Sequence, residues 1–192
     1  MQGIYPKSGR GKGFVLPVSM CMAYPITQNS EERKRSIELD SNAIFFVKDS
    51  LVADNSEVFY EICSQNTVKQ YDHIIKVKSF MHDLDADLIR SIMFMETSHG
   101  WYDRINPLRK TILPMNIHYE YWKKLGFGKD QLLNPKINIH AGALILKRIQ
   151  NRLNDPKISK IASVYNFIGK KSVSDYGARV AKIYNERAWE KC

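Results

Sequence analysis

The chain lacks any run of about 18 apolar residues, the length a helix needs to cross a bilayer, so no stable membrane insertion is expected. Cysteine is scarce, with only Cys21, Cys63 and Cys192 among 192 residues. Three scattered thiols make neither a disulfide framework nor a zinc-ligand spacing. They read as free or buried thiols, with a Cys21–Cys63 bridge as the alternative in an oxidising compartment. His82, His118 and His140 with Glu120 lack the helical His-x-x-x-His spacing, so no metal site is expected. The stretch "GRGKG" at residues 9–13 matches a phosphate loop in composition only, because the terminal Lys-Ser/Thr is missing. No cofactor is therefore expected. There is no internal repeat, no low-complexity tract and no recognised nucleic-acid motif.

What is present is positive charge. Against 20 Asp plus Glu stand 29 Lys plus Arg, a formal net charge of +9. Such an excess suits an acidic partner: nucleic acid, anionic lipid or an anionic cell-wall polymer. With 44% hydrophobic residues the chain is ordinary globular material, long enough for one domain with a real core.

Residues 1–40 read as an extended N-terminal arm, rich in glycine near its start and interrupted by Pro17 and Pro25. Lys7, Arg10 and Lys12 before "FVLPVSMCMAYPI" imitate a signal peptide, but those prolines break the apolar region. "SEERKRS" can open a short helix at Ser30. From residue 41 to 192 the pattern turns helical, and the expected fold class is mainly α. "SNAIFFVKDSLV" fits a helix or a strand equally, and "SEVFYEICSQ" a short helix capped by Ser56. "TVKQYDHIIKVKSFMHDL" spaces Val68, Tyr71, Ile75 and Phe80 roughly as one helical face. "NPKINIHAGALILKRIQNRL", "ISKIASVYNFIG" and "SVSDYGARVAKIYNERAWEKC" supply three further helices. Residues 100–118, with Gly100, Asn106, Pro107 and Pro114, read mostly as loop.

One residue breaks the local rules. In "LIRSIMFMETSHGW" Glu96 follows Met93, Ile92 and Ile89 on one face and falls in the last helical turn. A helix C-terminus is the negative end of the macrodipole, so a carboxylate there costs stability. Burial and dipole both favour its protonated form, which is what a general acid requires. The bland alternative is a Glu paired with Arg90, Arg104 or Lys110.

Five stretches, in order, then carry a resemblance. "FMETSHGW" resembles the glutamate-bearing helix end of soluble lytic transglycosylases and goose-type lysozymes. "ILPMNI" resembles the Gly-Leu-Met-Gln segment that follows it in that family. "NPKINIHAGALIL", "ASVYNFIG" and "YGARVAKIY" resemble the Asn-Ile-x-x-Gly helix opening, the Tyr-Asn pair and the late Tyr. The match spans roughly residues 80–190. Departures occur at Thr97 for Ser, Leu113 and Pro114 for Gly and Leu, and Asn116 for Gln. Phe167 and Ile168 replace the small residues that follow Tyr-Asn in the family.

The resemblance implies a lysozyme-like helical domain that cleaves the β-1,4 bond between N-acetylmuramic acid and N-acetylglucosamine in peptidoglycan. Glu96 becomes the catalytic acid and base. Met115 lines the cleft, Asn116 binds the sugar amide, and Tyr165 reaches towards the carboxyl. Asn166 fixes the loop or binds substrate, and Tyr176 is a cleft aromatic. Most glycosidases need two carboxylates. Asp103, in the following loop, is the candidate second acid for a hydrolytic muramidase. Asp83, Asp85 and Asp87 lie two to three turns away, too far to flank the same bond. Without Asp103, Glu96 acts twice and leaves a 1,6-anhydro sugar, as a lytic transglycosylase does; this is the favoured route. Trp101, Tyr102, Tyr119 and Trp122 are candidate sugar platforms. Lys123, Lys124, Lys129, Lys170 and Lys171 can attract an anionic polymer.

The implied partner is the peptidoglycan strand, met in the periplasm or outside the cell. A secretion system and a cognate immunity protein follow if the chain is an antibacterial effector. The competing class is a non-catalytic basic module that binds cell wall or nucleic acid.

Overall fold

The computed structural model describes residues 44–50, 63–98 and 111–191. The fold is mainly α. Helix α1 (Gln65–His82) is followed by α2 (Ala86–Ser98). Then come a short hairpin, β1 (Thr111–Ile112) and β2 (Ile117–His118), and the single turn α3 (Tyr119–Trp122). Helix α4 (Lys129–Leu132) leads into α5 (Pro135–Gln150), α6 (Ile158–Asn166), α7 (Asp175–Glu186) and α8 (Ala188–Lys191). The hairpin is antiparallel, with Thr111 opposite His118 and Ile112 opposite Ile117. It occupies part of the stretch that the sequence presents as loop.

The core gathers around α2, buried over most of its length, and the inner face of α5. A helix apolar on nearly every side has to lie inside the domain. Helix α5 starts where its sequence says it should. Asn134 accepts a hydrogen bond from the Lys136 N–H at 2.9 Å, and Pro135 takes the first helical position. Helix α7 opens on Ser174, whose hydroxyl accepts from the Gly177 N–H at 3.2 Å. Gly177 has to be glycine, since a Cβ there would overlap the Ser163 side chain and the Ser159 carbonyl of α6. That near-contact lets α6 and α7 pack along each other.

Segment 44–50 resolves the choice between helix and strand. It is extended, with Phe45 N–H donating to the Arg152 carbonyl (2.6 Å) and Lys48 N–H to the Lys171 carbonyl (2.9 Å). Phe45 and Val47 turn inward while Ile44 and Phe46 are exposed, the two-residue alternation of a strand hidden inside an apolar run.

Two expectations are corrected. Phe80 leaves the face shared by Val68, Tyr71 and Ile75 and is 89% exposed. Five positions past Ile75 it lies roughly 140° round the helix. Cys63 is not a free thiol but disulfide-bonded. The arm at 1–40, the Ser56 cap and the candidates Trp101, Tyr102 and Asp103 lie outside the described residues.

Candidate active site

From Ser91 to Ser98 every residue of α2 is buried except Glu96, which is half-buried. The helix therefore presents one polar side chain at the edge of an otherwise closed core. Both carboxylate oxygens are held. Asn116 Nδ2 donates to Oε2 at 2.8 Å, and the Tyr176 hydroxyl donates to Oε1 at 2.6 Å. The donors come from the hairpin turn and from the first turn of α7, so two separate elements fix one carboxyl. Both bonds are stronger to an ionised carboxylate than to a neutral acid.

Asn116 reaches Glu96 because its backbone is left-handed, at φ 55°. Asparagine tolerates that conformation better than most residues. The turn is clamped from inside. Asn138, fully buried on α5, accepts from the Met115 N–H at 2.9 Å. Its amide nitrogen donates to the carbonyls of Ile112 at 2.8 Å and Leu132 at 3.2 Å. On the other side of the same residue, the Tyr165 hydroxyl donates to the Met115 carbonyl at 2.7 Å. Gly142 makes room for the Met115 side chain, because a Cβ there would lie 2.9 Å from two of its carbons. The neighbour of Asn116 is thus pinned through its N–H, its carbonyl and its side chain.

The two tyrosines keep their protons. Burial, then the negative charge of Glu96, pushes the Tyr165 phenol well above its ordinary value. The same causes act on Tyr176, with its own hydrogen bond to Glu96 and the nearby Tyr165 adding to them. Through the neutral range each phenol is a donor.

Set against the sequence expectations, Glu96, Met115, Asn116, Tyr165 and Tyr176 come together. The resemblance puts Tyr165 at the carboxyl and makes Tyr176 a cleft aromatic; instead Tyr176 holds the carboxyl and Tyr165 supports the turn. Met115 is fully buried beneath the turn rather than lining an open surface. Asn166 ends α6 as an exposed residue. Trp122 is buried and belongs to the core, while Tyr119 is half-buried with the Lys129 ammonium 5.2 Å from its ring centroid. Arg90, a candidate partner for Glu96, instead binds Asp72 and Asp87. Asn138 is the contributor whose role the sequence left unread. A short amide inside an apolar helix must find partners, and that requirement is the signal it offers.

Comparison of the chain with protein-family models, with curated proteins and with solved structures finds no match.

Proposed function

We propose that this protein is a peptidoglycan-cleaving glycosidase with Glu96 as its single catalytic carboxyl, working as a lytic transglycosylase. The observation that carries the reading is the mounting of Glu96. It is the one half-buried residue in a buried run, with each oxygen held by a side chain from a different element. Those donors fall at two of the positions, Asn116 and Tyr176, that the family resemblance marks.

In the proposed reaction protonated Glu96 gives its proton to the bridging oxygen, and the glycosidic bond breaks. The substrate's own acetamide stabilises the cationic anomeric carbon, as in substrate-assisted glycosidases. The resulting carboxylate takes the proton of the C6 hydroxyl, whose oxygen closes on the anomeric carbon. Glu96 ends protonated, and no water is consumed. Asn116 and Tyr176 favour the carboxylate formed midway and aim it for its second task. The acid role uses the oxygen from which a donor is displaced.

Two further features agree with an extracytoplasmic wall substrate. Disulfides persist in oxidising compartments, and Cys63 is in one. The net charge of +9 attracts a polymer carrying carboxylates. An export apparatus and a cleft-filling inhibitor are the protein partners this reading implies.

The test is product mass. Purified peptidoglycan digested by the protein is expected to yield muropeptides one water lighter than hydrolysis products. Reducing ends alone would instead assign a muramidase, with Asp103 as the residue to substitute next. Unchanged walls, together with strongly salt-dependent DNA retention, would favour the binding module.

A further inference from the structure

The end of α2 away from Glu96 borders a cavity of about 530 Å³, lined by Val68, Lys69, Asp72, Lys76, Arg90, Arg187, Trp189 and Glu190. Its volume lies within the range of small-ligand sites and far exceeds a single ion. Arg90 lies six residues before Glu96, so it points from a different face of the helix and about 9 Å back along the axis. The cavity is therefore separate from the carboxylate site.

Its lining has a definite chemistry. Val68 and Trp189 are buried and give an apolar base. Four cations face two acids. Arg90 is committed to Asp72 through Nε at 2.9 Å and Nη2 at 2.6 Å, and also binds Asp87. Lys76, largely exposed, touches Asp72 at 2.8 Å, and Arg187 touches Glu190 at 2.7 Å. Lys69 is exposed at the rim and adds a further positive charge. A ligand that fits offers more carboxylates than amines, has amide groups to share with the mixed rim, and carries small apolar side chains for the base.

We infer that this cavity is a binding site for a short acidic peptide, which recognises it through carboxylates on Lys69, Lys76 and Arg187. Asp72 and Glu190 receive the ligand's amine. On the glycosidase reading, from which the identity of the peptide is taken, the stem peptide of peptidoglycan has this composition. Holding a stem at the far end of α2 tethers the enzyme to the polymer it cuts and raises the local concentration of scissile bonds.

The experiment is calorimetry on the full chain carrying Glu96→Gln, so that nothing is turned over during titration. The probe is an N-acetylated tetrapeptide with three carboxylates and one amine: alanine, γ-linked D-glutamate, diaminopimelate and D-alanine. Saturable binding is expected, weakened by a factor of about ten or more in the Lys69→Glu/Lys76→Glu double variant, as loss of two charged contacts implies. Circular dichroism establishes that the double variant is folded. An unfolded variant is replaced by Lys69→Glu alone, for which about a three-fold loss is expected. Absence of binding at millimolar peptide, equal affinity in the charge-reversed protein, or equal affinity for inorganic phosphate each overturns the assignment. Peptide binding without wall cleavage by the wild type leaves the cavity standing and removes the glycosidase. Cleavage without peptide binding does the reverse.

Discussion

The two ends of helix α2 use carboxylates in opposite ways. At its start Asp87 sits in the first turn, where the helix dipole favours a negative charge, and is paired with Arg90. Asp72, packed alongside from α1, is raised by burial, but hydrogen bonds from Lys76 and Arg90 outweigh that and hold its carboxyl below the usual range. At the other end Glu96 occupies the last turn, where the dipole opposes it. There Asn116 and Tyr176 each donate a hydrogen bond to it, and the two bonds orient the carboxylate. Charge matched by charge stabilises a fold. A carboxylate set at the disfavoured end of a helix costs stability, and a local rule is broken in this way where a group has a proton to exchange.

The sharpest way to break this contrast is Glu96→Gln. The shape is nearly kept and the proton is removed from play, so wall clearing is expected to fall by roughly three orders of magnitude, within the usual reach of general acid–base catalysis. Turbidity of purified cell walls measures it, with thermal melting to show that the fold survives. Equal clearing by both proteins would place the chemistry elsewhere.

Next in size is Asn138→Ala. It strips partners from the Met115 N–H and from the Ile112 and Leu132 carbonyls, all close to the core. The expected cost is about 3 kcal/mol in denaturant unfolding, because buried polar groups are left unpaired. Turnover should fall as well at temperatures where the variant is folded, since Asn116 is aimed through Met115. A stable variant with normal turnover would mean that the turn holds its own shape.

A third test uses pH away from both ends of α2. His82 Nε2 and His140 Nδ1 lie 2.9 Å apart with stacked rings, joining the last turn of α1 to α5. Phe127 packs edge-on against His140, Lys78 and Lys147 supply the nearby positive charge, and Lys147 is also bound to Asp83. Burial, then these lysines, lowers His82; burial, then Lys78 and His82, lowers His140. Below the ordinary value of about 6.5 the unfolded chain therefore binds more protons than the folded one. Stability is fully present above that pH and is lost as pH falls through the folded values. Melting temperature should drop between pH 7 and pH 5, and His82→Gln should flatten the drop. An identical pH profile in that variant would assign the dependence to other groups.

Much of this was legible in the chain. Helix α5 announces itself through the apolar spacing after Pro135, α7 through the run that begins at Ser172, and Glu96 through its place at the end of an apolar run. What stayed hidden depends on packing between distant segments. Which phenol reaches Glu96 follows from how closely α7 lies on α6, and that rests on Gly177 meeting Ser163 and Ser159. The partners of Asn138 lie 6, 23 and 26 residues away and converge only in the folded chain. Phe80 follows α1's spacing loosely, and only the turn angle shows that it faces out.

A smaller effect is expected at the favoured end of α2. Asp87→Asn removes two ion pairs, to Arg90 and more loosely to Arg187, and one dipole contact from a partly exposed position, so the loss should be about 1 kcal/mol. Wall clearing per folded molecule should be unchanged. A marked loss of clearing would show that the two ends are coupled through the helix, and the contrast between them would have to be abandoned.

The smallest effect belongs to Ser98, two residues beyond Glu96. Its hydroxyl is fully buried and makes no hydrogen bond among the described residues, whereas the neighbouring Thr97 hydroxyl returns to the Met93 carbonyl at 2.7 Å. A buried donor with no partner is a cost the fold carries for no structural return. Ser98→Ala is therefore expected to be neutral or more stable by up to about 1 kcal/mol, read from the denaturant midpoint at unchanged slope. If the variant is instead destabilised by more than that, the hydroxyl has a partner in the folded protein. The end of α2 would then be more fully satisfied than its geometry indicates.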